Sequence, residues 1–328
     1  MSNHFLSCDW GTTNFRLRLV TRDSCEVLAE ATADSGVSNL AKAWGEKGGG
    51  DEAARVDFYT EVLRKAVEEL KQTTEVSLEA MPVVISGMAS STLGLVNLPY
   101  AALPVPVDGS GFRTHIIEPS PAFGHPILLI SGLRSDDDVI RGEETQLIGC
   151  LTPEMESYTG DQLVIHPGTH SKHIVIAGGQ ITGFATFMTG ELFKLFSTHG
   201  ILRDNVTINP FSASAVGPFE QGVREAGDNP LLHAAFRVRT NDLFGRWSKE
   251  ENYHYLSGLL IGTELQSLAG RKERCYLCSG PSLHEQYATA IKLLGLDTQV
   301  HILSPEWEEG AVVRGQAKVL KTTPFSGS

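Results

Sequence analysis

The sequence predicts an α/β protein of two lobes around a central cleft, each lobe one copy of a duplicated βββαβαβα unit. Three observations carry that prediction. The chain has 328 residues, room for two domains at roughly 100–200 residues each. Each half opens with a strand, a glycine–threonine turn and two more strands, then alternates helices with strands. The two turns also repeat in register, since Gly11-Thr12-Thr13-Asn14 lies 157 residues (168 − 11) before Gly168-Thr169-His170-Ser171.

In order, residues 4–8, 15–20 and 25–30 read as short strands, the last two by alternation of apolar and polar side chains. An amphipathic helix follows Gly48-Gly49-Gly50, with Val56, Tyr59, Leu63, Val67 and Leu70 at helical spacing. Residues 82–86 and 127–131 read as buried strands, and the proline- and glycine-rich stretch 87–117 between them as irregular. Residues 136–150 are expected to form an acid-capped helix with Val139, Ile140, Leu147 and Ile148 as its apolar positions. The pattern then restarts with strands at 162–166, 173–177 and 181–187 and a helix over 188–199. Helices near 253–268 and 283–294, strands at 274–278 and 299–303 and a helix over 306–320 complete it. Pro153 and Gly160 break the pattern between the halves, which sets the lobes at 1–152 and 153–328, with the final helix packing back on the first.

Composition excludes several functions. With 27 Lys plus Arg against 39 Asp plus Glu, the net charge is −12, and no basic cluster offsets it, which argues against nucleic acid and anionic lipid. No apolar run approaches the ~18–20 residues of a membrane span, and the start from Met1 to Trp10 has no leader-like pattern. Five cysteines give no disulfide framework, so the expected setting is the cytoplasm.

Two glycine–threonine turns facing each other form a phosphate clamp: glycine admits the anion to the backbone, and amides and hydroxyls donate to its oxygens. Asp9 stands where it can hold Mg²⁺ through water. No Walker loop and no Gly-x-Gly-x-x-Gly after a strand is present. The motifs Asp9-Trp10-Gly11-Thr12-Thr13-Asn14, Ser86-Gly87-Met88-Ala89-Ser90, Arg141-Gly142-Glu143-Glu144-Thr145-Gln146, Pro167-Gly168-Thr169-His170-Ser171-Lys172, Met188-Thr189-Gly190-Glu191-Leu192 and Ser257-Gly258-Leu259-Leu260-Ile261-Gly262 stand in this order. In them the chain resembles the actin, Hsp70 and sugar kinase superfamily, and within it the 2-keto-3-deoxygalactonokinases (2-dehydro-3-deoxygalactonokinases).

The resemblance implies a two-lobed actin-like (ribonuclease H-like) fold that closes on its substrates. It also implies ATP and Mg²⁺ as cofactors and phosphorylation of the 6-hydroxyl of 2-keto-3-deoxygalactonate. Where the superfamily often has Asp before the second phosphate loop, this chain has His166-Pro167, a form the narrower family shares. The resemblance places the general base on the helix before that loop, at Glu143 or Glu144. Adjacent helical carboxylates point about 100° apart, so one faces the cleft, and Glu144 is the marginal choice. Arg134, Arg141 and Lys172 are candidates to meet the substrate carboxylate, with Lys172 an equal candidate for ATP phosphates. Gly36-Val37-Ser38 and the loop from Gly87 to Tyr100, with Met88 and Ser90, are expected to wall the sugar site. Arg16 stands nearest the first phosphate loop, and Ser279-Gly280 is expected to meet adenosine at a helix start.

Two clusters are discounted. Cys275 and Cys278 sit i, i+3 in a strand and face opposite sides, as buried small hydrophobes. His166, His170 and His173 read as hydrogen-bonding groups of the phosphate hairpin. Trp10, Trp44, Trp247 and Trp307 are scattered and form no stacking platform. The alternatives are a kinase of another sugar acid, such as 2-keto-3-deoxygluconate, a sugar or nucleotide sensor, and an actin-like polymer subunit. The partners expected are small molecules, with homo-oligomer formation left open.

Overall fold

Alternation along the first hairpin sets the first sheet. In the computed structural model, which describes residues 3–324, β1 (His4–Trp10) sends Leu6, Cys8 and Trp10 into one apolar cluster and turns Asp9 to the opposite face. Residues 1–2 of the expected leaderless start, and 325–328 of the second lobe's range, lie outside the described residues. The chain continues through β2 (Phe15–Thr21), β3 (Val27–Ala33), α1 (Val37–Glu46), α2 (Glu52–Lys71) and β4 (Val83–Gly87). Next come β5 (Ala101–Ala102), β6 (Val105–Pro106), β7 (Thr114–Ile117), β8 (Ile127–Ile130), β9 (Leu133–Arg134), β10 (Val139–Ile140), α3 (Glu143–Cys150) and α4 (Pro153–Ser157). The second series is β11 (Gln162–His166), β12 (Ser171–Ala177), β13 (Gln180–Phe187), α5 (Thr189–Thr198), α6 (Ala213–Asp228), α7 (Leu231–Leu243) and α8 (Lys249–Leu265). It closes with β14 (Arg274–Leu277), α9 (Pro281–Leu293), β15 (Val300–Ile302), α10 (Pro305–Glu309) and α11 (Ala311–Thr322).

The duplication is visible in the sheets. The order β3-β2-β1-β4-β8 recurs as β13-β12-β11-β14-β15. Equivalent pairs agree in direction: β1–β2 and β11–β12 are antiparallel, β1–β4 and β11–β14 parallel, β4–β8 and β14–β15 parallel. This is the duplicated α/β organisation of the actin-like (ribonuclease H-like) fold. The chain divides into two compact units, the first made of residues 3–158, 179–183 and 309–324, the second of 159–178 and 184–308.

In the first unit one face of the sheet packs on α2, with Tyr59, Leu63 and Val67 buried against Leu17, Leu19 and Ile85. The expected helix over 136–150 begins only at Glu143. The Ser135 hydroxyl accepts from the Asp138 N–H (2.9 Å) in a turn, and Val139–Ile140 then pair with Leu133–Arg134. Gly142, at φ 108°, takes a left-handed conformation that separates the hairpin from α3. Helix α11 docks on α3 through two glycines: a Cβ on Gly315 would lie 1.9 Å from Thr145 O, and one on Gly149 1.8 Å from Ala311 O. Gln316 Nε2 donates to Cys8 O (2.8 Å) and Ser86 Oγ (2.9 Å). The single helix expected at 306–320 is two, divided at Gly310.

In the second unit the sheet packs on α6, α8 and α9 through Leu163, Phe219, Val223, Ile261, Cys275 and Ile291. A Cβ on Gly222 would sit 2.1 Å from Tyr255 O and one on Gly258 2.0 Å from Phe219 O. The glycines of the Ser257–Gly262 motif therefore serve close helix packing. Cys275 and Cys278 are both buried; Cys275 is a free thiol within this core, whereas Cys278, expected as a buried small hydrophobe, is disulfide-bonded.

Candidate active site

The turn from β1 to β2 is the first phosphate-loop candidate. Gly11 N–H donates to Asn14 O (2.9 Å), and Thr12, Thr13 and Asn14 are exposed. Trp10 belongs to the core, stacking edge-on with Phe15 at 4.9 Å between ring centroids. Helix α1 starts against the turn, with the N–H groups of Val37 and Ser38 donating to Gly11 O and Thr12 O (both 3.0 Å). Gly36 permits the approach, since a Cβ there would fall 2.2 Å from the Thr13 carbonyl carbon. Gly36, Val37 and Ser38, expected as a wall of the sugar site, thus brace this turn, and the Val37 side chain lies in the core.

Asp9, one residue before the end of β1, lies opposite Arg16 on β2 and level with Ser86 on β4. Among the described residues its carboxylate accepts no hydrogen bond and makes no ion pair. Burial raises its pKa, and the nearby Arg18 and Arg16 charges offset only part of that rise. A desolvated carboxylate without a donor suits a hydrated cation. Arg18 pairs with Glu30 at 2.7 Å and Arg16 with the same carboxylate at 3.8 Å.

The acid pair sits at the N-terminus of α3. Glu144 is wholly buried; its Oε2 accepts from Gly142 N–H (2.7 Å) and its Oε1 from the Thr145 hydroxyl (3.1 Å). Burial, with the Glu143 charge beside it, pushes its pKa up to about 7. Glu143 is partly exposed, and its Oε2 accepts from Arg141 N–H (3.0 Å). The Arg141 guanidinium donates to Ser90 O (2.6 Å) and Ser90 Oγ (2.5 Å) and lies 4.1 Å from the Tyr100 ring centroid. It therefore holds the expected sugar-site loop together. Gly87 is left-handed (φ 95°), and a Cβ there would meet Trp10 O at 2.7 Å. Met88 follows it, partly exposed, and Arg134 is exposed on β9.

The second turn, from β11 to β12, repeats the bracing of the first. Helix α5 starts against it: Glu191 N–H donates to Thr169 O (2.9 Å), and a Cβ on Gly190 would lie 2.6 Å from Gly168 O. Thr169 and His170 are exposed, and the ammonium of the buried Lys172 donates to His170 O (2.6 Å). The three histidines diverge to separate carboxylates, His166 towards Glu308 (3.9 Å), His170 to Glu191 (2.5 Å) and His173 to Glu264 (3.1 Å). Ser171 is buried and also donates to Glu264 (2.7 Å).

Beside this turn the second unit holds a cavity of about 370 Å³. Gly168, Thr189 and Gly190 form its end at the turn, Phe193, Tyr253 and Phe211 give aromatic walls, and Asn209, Ser257, Ser282 and Gln286 offer polar groups. A few polar groups in an apolar lining suit a flat heterocycle. Ser279 is buried against His284 Nδ1 (3.1 Å) and Gly280 caps α9; the wall comes from Ser282, Leu283 and Gln286 one turn on. Sequence reasoning missed Asn209, Phe211 and Glu264. A carboxylate inside the apolar run from Leu256 to Leu268 is the signal that marks Glu264.

A family model described as 2-keto-3-deoxy-galactonokinase matches residues 9–317. The chain belongs to that family. A 2-dehydro-3-deoxygalactonokinase of Escherichia coli K12 is 32% identical over 305 residues, covering 90% of this chain and 92% of the relative. A Rhizobium meliloti relative with the same assignment is 31% identical over 308 residues, 91% of this chain and 92% of its own. The crystal structure of a Sinorhizobium meliloti protein assigned as a 2-dehydro-3-deoxygalactonokinase superposes with a TM-score of 0.80 at 28% identity, covering 99% of this chain and 98% of that one. This member of the 2-keto-3-deoxy-galactonokinase family is accordingly a sugar-acid kinase, a phosphotransferase with an alcohol acceptor. No helix among its described residues is long and apolar enough to cross a membrane.

Proposed function

We propose that the chain transfers the γ-phosphoryl group of ATP to the 6-hydroxyl of 2-dehydro-3-deoxy-D-galactonate, with Glu144 as general base. The observation that carries the assignment of the base is the placement of the Glu144 carboxyl, buried at the head of α3 and held by the Gly142 N–H and the Thr145 hydroxyl. Burial pushes its pKa up to about 7, near the pH at which a base must both hold and release a proton. Glu143 fixes the turn at Arg141, which keeps Glu144 at the head of α3. The reaction is an in-line displacement without a covalent enzyme intermediate. The acceptor oxygen attacks phosphorus, its proton passes to Glu144 and ADP leaves.

The cavity of the second unit takes adenosine, with Ser279 and Gly280 positioning the start of α9. Phosphates lie over Gly168, Thr169, His170, Ser171 and Lys172. Gly11, Thr12, Thr13 and Asn14, with Arg16, donate to the transferred group. Asp9 would hold Mg²⁺ through water, and that ion would supply neutralisation of the phosphate charge. Ser38, Met88, Ser90, Tyr100 and Arg134 belong to the sugar-acid side, where Arg134 meets the carboxylate and Arg141 keeps the loop in place.

A coupled ADP-release assay with ATP, Mg²⁺ and 2-dehydro-3-deoxygalactonate tests the proposal. Turnover is expected with this acceptor and weaker turnover with 2-keto-3-deoxygluconate. Folded protein that gives no turnover above background refutes it, and a preference for the gluconate reassigns the substrate.

A further inference from the structure

Glu264 is almost wholly enclosed on α8, and none of the roles assigned so far uses it. Its two oxygens serve two different parts of the second unit. Oε1 accepts from the Ser171 hydroxyl (2.7 Å) and lies 3.1 Å from His173 Nε2, both on the strand that leaves the phosphate turn. Oε2 accepts from the Thr189 hydroxyl (2.5 Å) at the head of α5 and the Tyr287 hydroxyl (2.7 Å) on α9. Thr189 and Tyr287 line the cavity.

Four donors on one carboxylate match its ~four lone-pair sites. Burial raises the pKa of this group, but the hydrogen bonds and charge of His173, with the Thr189 and Ser171 hydroxyls, outweigh that and hold it below the ordinary carboxylate range. The group is therefore ionised at neutral pH, and its hydrogen bonds are charge-assisted. Ser267 Oγ lies 3.1 Å from His173 Nδ1, completing the circle of partners.

We propose that Glu264 is a positioning residue that locks the second phosphate turn to the wall of the nucleoside cavity, so that base and phosphates of one nucleotide meet a single prearranged site. The inference rests on the ATP reading above. Without the link, turn and wall each keep their own contacts but lose their mutual register, and a ligand that spans both must restore it on binding. A ligand that occupies the cavity alone has no such requirement.

Calorimetric titration of wild type and Glu264→Gln with adenosine and with ATP separates these cases, alongside KM for each substrate. A carboxamide offers one acceptor oxygen to the four donors. The expected result is a loss of ATP affinity of about tenfold or more, the scale of one charge-assisted hydrogen bond. Adenosine affinity and the sugar-acid KM should change by less than about threefold on the same scale.

A cycle of Ser171→Ala, Tyr287→Phe and the double variant gives the second test, and it decides the matter if Glu264→Gln does not fold. Each single variant cuts the link at one end, so the double variant should bind ATP little worse than either. Additive losses across the cycle, or parallel losses for ATP and adenosine in Glu264→Gln, overturn the positioning role while leaving the kinase reading intact. A wild type that binds no ATP overturns that reading and this inference with it.

Discussion

Glu144 keeps its proton near neutrality because its carboxyl is shut away from water beside a second acid. Two measurements follow. Glu144→Gln should lower kcat by ~10²–10⁴, and the rise of kcat with pH through about 7 should vanish with it. Glu143→Gln should cost less than about tenfold, since a carboxamide oxygen can still accept from the Arg141 N–H that braces the turn. The reverse ranking would exchange the two roles. The same carboxyl makes an opposite demand on stability. Its folded pKa of about 7 lies above the ordinary 4.5, so the native state binds the extra proton and the contribution of Glu144 to stability falls as pH rises from 4.5 to about 7. Glu144→Gln, neutral throughout, should therefore melt above wild type at pH 8 and lose that advantage towards pH 5, read as Tm against pH. Asp9, likewise raised by burial, gains most from a nearby cation. Asp9→Asn should raise the Mg²⁺ concentration needed for half-maximal rate by about tenfold, the scale of one lost charge contact.

At the scale of elements, the acid-bearing helix α3 is held by a neighbour. Helix α11 reaches it through Gly149 and Gly315, so closely that a single added methyl would overlap backbone. Gly315→Ala should cost about 1–3 kcal/mol, the usual range for overpacking, measured by urea unfolding. It should also lower kcat more than either KM, because the displaced backbone is Thr145 O, next to Glu144. The twin loop braces belong to the same scale. In both units a helix that follows the third strand gives its first amides to the carbonyls of the turn between the first two strands, with a glycine at the contact. The turns were legible from their own residues; the braces were not, because nothing local in Gly36-Val37-Ser38 signals that its partner is a carbonyl some two dozen residues upstream. Helix α6 was hidden for a related reason: Gly217, Pro218 and Gly222 lower local helix preference, and the packing of Gly222 on α8 restores it. Two-residue strands such as β9 and β10 carry no periodicity at all, which is why Val139 and Ile140 read as helical.

For the whole molecule, the repeat was legible because it rests on strand order, and strand order follows from alternation and turns. The two turns of the candidate site were legible where their own backbone shapes them, as at Gly11 and Gly168. Residues that work through long-range partners were not, foremost Glu264 and its link to Ser171, His173, Thr189 and Tyr287. The unit boundaries carry a further prediction, because the first unit includes α11 from the far end of the chain. Removal of residues from 311 onward should abolish turnover by uncovering α3, while adenosine binding in the second unit persists, checked by titration of the shortened chain. That arrangement also bears on synthesis. A ribosome makes the acid-bearing part of the first unit early, yet the helix that seats it emerges only after the entire second unit. The nascent chain must therefore carry an unfinished first core past the tunnel exit while the second unit is made, and α3 gains its seat only once α11 is free to dock.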